Sequence, residues 1–172
     1  MATAVGHADP PTTIDPDPPA RPTPAATPPA PAAPSWDLDG LYLWLGPTGA
    51  AGRLMDSWDS TFGAHIAVVR VREQALIGAI GASLGASRWT TRGGARIWLD
   101  ALIGTRIGRM IGITAGPILE LPELKHPEFG GSVGLWAFVG VAPYIRVGVL
   151  REFGSFVELG IHVSLPALRD RD

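Results

Sequence analysis

ALIGAIGASLGASRW, residues Ala75 to Trp89, reads in two incompatible ways. Its glycines at 78, 81 and 85 have the spacing of a small-residue seam on a membrane helix. Taken two residues at a time, the same stretch is one wall of a β-barrel. The helical reading fails on length, because a spanning helix needs roughly 20 apolar residues and Arg88 interrupts this run first. It fails on composition too, since each glycine costs a helix about 1 kcal/mol relative to alanine. As a strand, the stretch separates Leu76, Gly78, Ile80, Ala82, Leu84 and Ala86 from Ile77, Ala79, Gly81, Ser83, Gly85 and Ser87.

The same division recurs along the chain. In 96–104 it sets Ile97, Leu99, Ala101 and Ile103 against Arg96, Trp98, Asp100, Leu102 and Gly104. In 141–150 it sets Val141, Pro143, Ile145, Val147 and Val149 against Ala142, Tyr144, Arg146, Gly148 and Leu150. In 156–165 it sets Val157, Leu159, Ile161, Val163 and Leu165 against Phe156, Glu158, Gly160, His162 and Ser164. With 41–46, 62–71, 111–121 and 132–140 these make eight strands. One face is aliphatic; the other mixes glycine, hydroxyls, rings and single charges. A soluble barrel would put Lys, Glu and Thr on its polar face, whereas glycine and isolated charges suit a narrow interior whose outside meets lipid. The expected fold is therefore all-β: an eight-stranded antiparallel up-and-down transmembrane β-barrel with a disordered N-terminal tail.

The rest of the chain bounds this domain. Residues 1–35 hold eleven of the seventeen prolines and almost no bulky apolar side chain, so they cannot bury enough surface to offset ordering entropy. They are expected to be a Pro/Ala-rich tail, followed by the barrel over 36–166 and a C-terminal tail over 167–172. ATAVGHA before DPP places Gly6 and Ala8 where a signal peptidase reads, so residues 1–8 read either as the remnant of a signal peptide or as an ordinary small-residue tail. Net charge is −2 with no basic stripe, which argues against nucleic acid as a partner. The absence of cysteine excludes disulfides and thiolate sites.

The connections 47–61 and 122–131 are expected to be long surface loops at one end, with tight turns at the other. Phe62, Trp89, Phe129, Phe153 and Phe156 are expected to form an aromatic girdle at the loop-side rim. His65, Arg96, Asp100, Glu120, Arg146, Glu158 and His162 are the polar candidates for the interior. Charges in a narrow lumen must pair, because unpaired burial costs several kcal/mol. Arg146 and Glu158 lie on adjacent strands across one short hairpin, within about one residue pair of each other, and are expected to form an ion pair.

Glu158-x-Gly160-x-x-Val163-x-Leu165 resembles the assembly signal that the barrel-assembly machinery recognises in outer-membrane proteins. It departs from that pattern in ending on Leu165 rather than an aromatic, and PALRDRD follows it. Residues 36–166 as a whole resemble the small barrels of the outer-membrane protein A and X type. That resemblance implies a small non-enzymatic protein of the bacterial outer membrane, with a structural or surface-interaction role. Its partners would be the lipid bilayer, the barrel-assembly machinery and an unknown surface partner. The alternative is a soluble lipid- or ligand-binding barrel.

A lipid-modifying enzyme ranks third. His162-x-Ser164 with Glu158 resembles the His-x-Ser arrangement of lipid A deacylases, but without a following acid. No cofactor or metal is expected, since His65, His126 and His162 share no ligand spacing. Arg92-Gly93-Gly94 reads as a turn rather than a phosphate loop.

Overall fold

A computed structural model describes residues 38–105, 110–124 and 126–170, so the tail expected over 1–35 lies outside the described residues. The strands are β1 (Gly40–Leu54), β2 (Ser57–Val71), β3 (Ile77–Trp89), β4 (Ala95–Thr105), β5 (Ile111–Leu121), β6 (Glu128–Ala137), β7 (Ala142–Leu150), β8 (Gly154–His162) and β9 (Leu165–Asp170). Each of β1 to β7 pairs antiparallel with the next. The ring closes because Thr48–Leu54 of β1 pair with Phe156–His162 of β8, while Leu41–Leu45 pair with β9. β8 and β9 are thus one final stave broken at Val163–Ser164, and the barrel has eight staves.

The break has a local cause. Any side chain at Gly46 would overlap the Val163 carbonyl, so glycine there lets the last stave fold in against β1. Val163 donates its amide to the Pro47 carbonyl at 3.0 Å, the last bond in the β1–β8 register, and Pro47 has no N–H with which to carry the ladder further. Leu165–Asp170, assigned from sequence partly to a C-terminal tail, then resume as β9.

The aliphatic sets of 96–104, 141–150 and 156–162, and that of 76–87 from Ile80 onward, point outward and the mixed sets inward. At the start of β3 the phase slips, because a register shift between Ile77 and Ala79 leaves Ile77 exposed and Gly78 buried. Inside, rings lie on glycines. Trp98, Trp136, Phe156 and Tyr144 stand directly opposite Gly85, Gly112, Gly148 and Gly160 on the neighbouring strand, and a Cβ at any of these glycines would run into the ring. This is how a narrow ring accommodates large aromatics: each takes up the volume that its partner lacks. The interior apolar groups gather toward the two ends, with Val69, Val71, Leu102 and Trp136 in one cluster and Leu54, Trp98, Ile118 and Phe156 in the other.

Three expectations are corrected. The long loop 47–61 is a hairpin whose only turn is Met55–Asp56, because ladder hydrogen bonds continue from Gly40–Val71 to Leu54–Ser57 without a gap. Its small outward residues Gly49 and Ala51 carry no apolar period, and backbone pairing does not need one. The loop 122–131 shrinks to 122–127 and opens with a single 3-10 turn, Pro122–Leu124, while β6 begins at Glu128 and ends at Ala137. Connections at the two ends are therefore similar in length, and the long-and-short asymmetry is absent. Finally, Trp89 and Phe156 are buried inside and Phe153 packs against the interior cluster. Only Phe62 and Phe129 of the five expected girdle residues are outward and exposed, and Trp58 joins them.

Gly85→Val places a branched side chain under the Trp98 ring and should lower stability by about 1–3 kcal/mol. Ala86→Val, one residue on and facing outward, should stay within about 0.5 kcal/mol of wild type. Denaturant unfolding of the two variants checks this.

Candidate functional site: the charged interior

All seven polar candidates face the interior. Five of them, drawn from β4, β5, β7 and β8, form one chain of ion pairs. Arg96 Nε meets Glu120 Oε2 at 2.7 Å, and Arg96 Nη1 meets Glu158 Oε2 at 2.5 Å. Arg146 Nη1 reaches Glu158 Oε1 at 3.4 Å, and Arg146 Nη2 reaches Asp100 Oδ2 at 2.5 Å. Arg96, Asp100 and Glu158 are at most 1% exposed, so water does not screen these charges. Tyr144 donates its hydroxyl to Glu158 Oε1 at 2.6 Å, and the Trp89 indole N–H donates to Glu120 Oε1.

Ring faces complete the surroundings. The Arg96 guanidinium lies 4.7 Å from the centre of the Trp89 ring and 4.4 Å from that of Phe156. Arg146 lies 4.9 Å from Trp98 and 5.3 Å from Tyr144. A weakly hydrated planar cation between aromatic faces loses less on burial than an ammonium would.

The pair read from the sequence is present, but it is the longest link. Arg146 and Glu158 stand directly opposite each other on β7 and β8. Each makes its shorter contact with β4, through Asp100 and Arg96 respectively. β4 is separated from both strands in sequence and sheet order, so only ring closure brings these groups together. Local alternation placed each charge on the inner face but carried no sign of this cross-ring pairing, nor of the roles of Tyr144 and Trp89.

The two interior histidines lie further toward the chain-terminal end. His65 Nε2 is 3.1 Å from Ser164 Oγ, and His162 stacks on Tyr144 with ring centres 4.2 Å apart. The His162, Ser164 and Glu158 trio does not assemble: Ser164 lies past the break and meets His65, while Glu158 is engaged by two arginines and Tyr144. Of the residues resembling an assembly signal, Glu158 and Gly160 face inward on β8, Val163 forms the break, and Leu165 opens β9 opposite Leu45. His126 is exposed in the β5–β6 connection. Among the described residues, no three His, Cys, Asp or Glu side chains group as metal ligands.

Two cavities flank the network. One of about 510 Å³ opens among the β1–β2, β3–β4 and β5–β6 connections, with Leu54, Met55, Arg92, Glu120, His126 and Phe153 in its lining. The other, about 50 Å³, lies deeper among Trp44, His65, Asp100, Trp136, Tyr144 and His162. The ion pairs run from Glu120 at the first to Asp100 at the second.

Asp59, which the sequence did not single out, secures the open end beyond the level of Arg88. Its carboxylate accepts the amides of Thr91 and Arg92 at 3.1 and 2.9 Å and the Thr90 hydroxyl at 3.0 Å. This fastens the β3–β4 turn, where Gly93 and Gly94 take positive φ, to the β1–β2 hairpin. Burial raises the proton affinity of Asp59, but these hydrogen bonds outweigh it and hold the carboxyl at about 2.

Two predictions follow from these charges. The chain of five holds three carboxylates and two guanidiniums, so Glu158→Gln leaves Arg96 with Glu120 and Arg146 with Asp100, both balanced. Arg96→Met leaves Glu120 without its cation and Glu158 with only the long contact to Arg146. Arg96→Met should therefore cost about 3–5 kcal/mol and Glu158→Gln markedly less, measured by equilibrium unfolding.

For Asp59, the folded pKa lies below the unfolded value of about 3.9. Its stabilisation is present above that value and is lost as pH falls from about 4 toward 2. Asp59→Asn should be less stable at neutral pH and show a shallower loss of stability across that window, read from melting curves at stepped pH.

No family model, curated protein or solved structure matches this chain.

Proposed function

We propose that this protein is a small, closed outer-membrane β-barrel of the bacterial envelope, with a structural or surface-interaction role rather than a catalytic one. One observation carries the reading: the outward positions form an uncharged belt around the whole ring. Leu41 to Ala51, Phe62 to Val68, Ile80 to Ala86, Ala95 to Thr105, Ile111 to Leu121, Phe129 to Leu135, Val141 to Val149 and Val157 to Ile161 include no outward charge. Among the described residues, the outward arginines on the strands lie beyond it, Arg53 and Arg88 toward one end and Arg70 toward the other. Leu99, Ile113, Val133 and Ile161 are each half exposed or more. A soluble monomer rarely exposes contiguous apolar surface beyond a few hundred Å².

The height of the belt agrees. The steps between the eleven residues of β4, from Ala95 to Thr105, rise about 3.4 Å each, and a strand tilt near 40° makes the span about 26 Å. Outer-membrane barrels carry an apolar band of about 25 Å. Closure into a ring leaves no sheet edge in lipid along β1 to β8. The rings and paired charges inside leave no continuous wide channel, so a pore for solutes is not part of the reading. The likeness of Glu158 to Leu165 to an assembly signal supports insertion by the barrel-assembly machinery. Exposed Met55 and Leu124 at the loop end offer a surface partner its first contacts.

Full-length protein should fractionate with membranes, require detergent for extraction, and change gel mobility on boiling. Leu99→Arg and Ile161→Arg, at mid-belt, should each destabilise the inserted barrel by about 2–4 kcal/mol. Extraction in plain buffer, with both variants as stable as wild type, would point to a soluble ligand-binding barrel instead.

A further inference from the structure

The smaller cavity has a polarity that the ion network leaves unanswered. Asp100 is 1% exposed and gives Oδ2 to Arg146, while Oδ1 has no hydrogen-bond partner although the residue lines the cavity. His162 Nδ1 is also without a partner, and the hydroxyl-bearing Ser83 and Thr114 stand in the same wall. The connected network carries one carboxylate more than it has guanidiniums. Trp44 and Trp136 add aromatic faces.

We propose that this cavity binds one small monovalent cation of the size of ammonium or potassium, with Asp100 Oδ1 as its principal ligand. Size sets the upper limit. A water needs roughly 10–15 Å³ of such space, so about 50 Å³ takes an ion with a few waters and no larger organic group. Charge sets the sign. An anion would find one unpartnered donor in this wall, Arg146 Nε, on a guanidinium whose charge Asp100 and Glu158 already offset, and it would face the carboxylate of Asp100. A divalent ion would need several anionic or imidazole ligands converging, and no such group of three exists among the described residues. A monovalent ion needs one carboxylate oxygen, neutral oxygen or nitrogen acceptors and, for ammonium, a ring face. The cavity supplies each of these, and the ion balances the surplus negative charge. The assignment rests on the interior alone and holds whether the outside meets lipid or a soluble environment.

The test uses the full-length folded protein at fixed ionic strength, with N-methylglucamine replaced stepwise by ammonium, potassium or sodium. The melting temperature should rise by about 4 °C or more, saturably, with ammonium or potassium. The rise should vanish in Asp100→Asn and persist in Glu152→Gln, which removes an exposed carboxylate in the β7–β8 turn. Because Asp100→Asn removes a partner of Arg146 and can prevent folding, a second measurement uses the wild type alone. Thallous ion, which has the size of potassium and quenches indole fluorescence, should quench saturably and be displaced by ammonium. Equal melting temperatures in all salts, with linear quenching that ammonium does not compete, would mean that water alone fills the cavity and would overturn the proposal. A full rise retained in Asp100→Asn would overturn it as well.

Discussion

Two guanidinium groups lie inside this barrel with almost no exposure to water, and the interior is arranged around that fact. A buried cation is tolerable only when carboxylates and polarizable surfaces replace its hydration shell. Arg96 and Arg146 obtain both: each contacts two carboxylates and lies over two rings. Glu158 is common to the two, and Tyr144 orients it. Eight staves make a ring narrow enough for side chains from β4 to touch those from β7 and β8, so the closure of the sheet and the pairing of the charges depend on each other.

The same narrowness explains the glycines. Indole and phenol rings cannot all point into a small ring unless the opposing strand gives way, and at four cross-strand positions it does so with glycine. Three of the rings thus brought inward, Trp98, Phe156 and Tyr144, then become surfaces on which the guanidiniums lie. Packing and electrostatics are coupled here: enlarging a glycine displaces a ring, and a displaced ring exposes a cation.

The two ends differ in how they are finished. At the chain-terminal end the last stave breaks at Val163–Ser164 and resumes against β1, which Gly46 makes sterically feasible. At the other end, Asp59 ties one turn to the neighbouring hairpin. The non-glycine residues with positive φ, Met55, Leu124 and His126, also lie in the connections of this end. Backbone held in the left-handed region costs free energy and persists where surrounding structure enforces it. The residues that the proposed surface role would use are therefore on constrained turns rather than on long loops.

The sequence by itself determined which residues face in and which face out. Alternation has a period of two, and a one-residue slip would turn Arg96, Asp100, Arg146 and Glu158 to the outside, so the aliphatic and mixed faces were legible wherever the apolar pattern was strong. It also determined the number of staves and the hairpin that sets Arg146 opposite Glu158. It did not determine where strands end, because ladder hydrogen bonds carry β1 through Pro47, Gly49 and Ala51 without any apolar signal. Nor could it show that Arg96 and Asp100 would meet the β7–β8 pair, that Ser164 would meet His65, or that Asp59 would fasten a turn thirty residues away. The first two join strands remote in sequence and exist only once the sheet has closed on itself; the third needs only the β2–β3 pairing that sets Asp59 beside the β3–β4 turn.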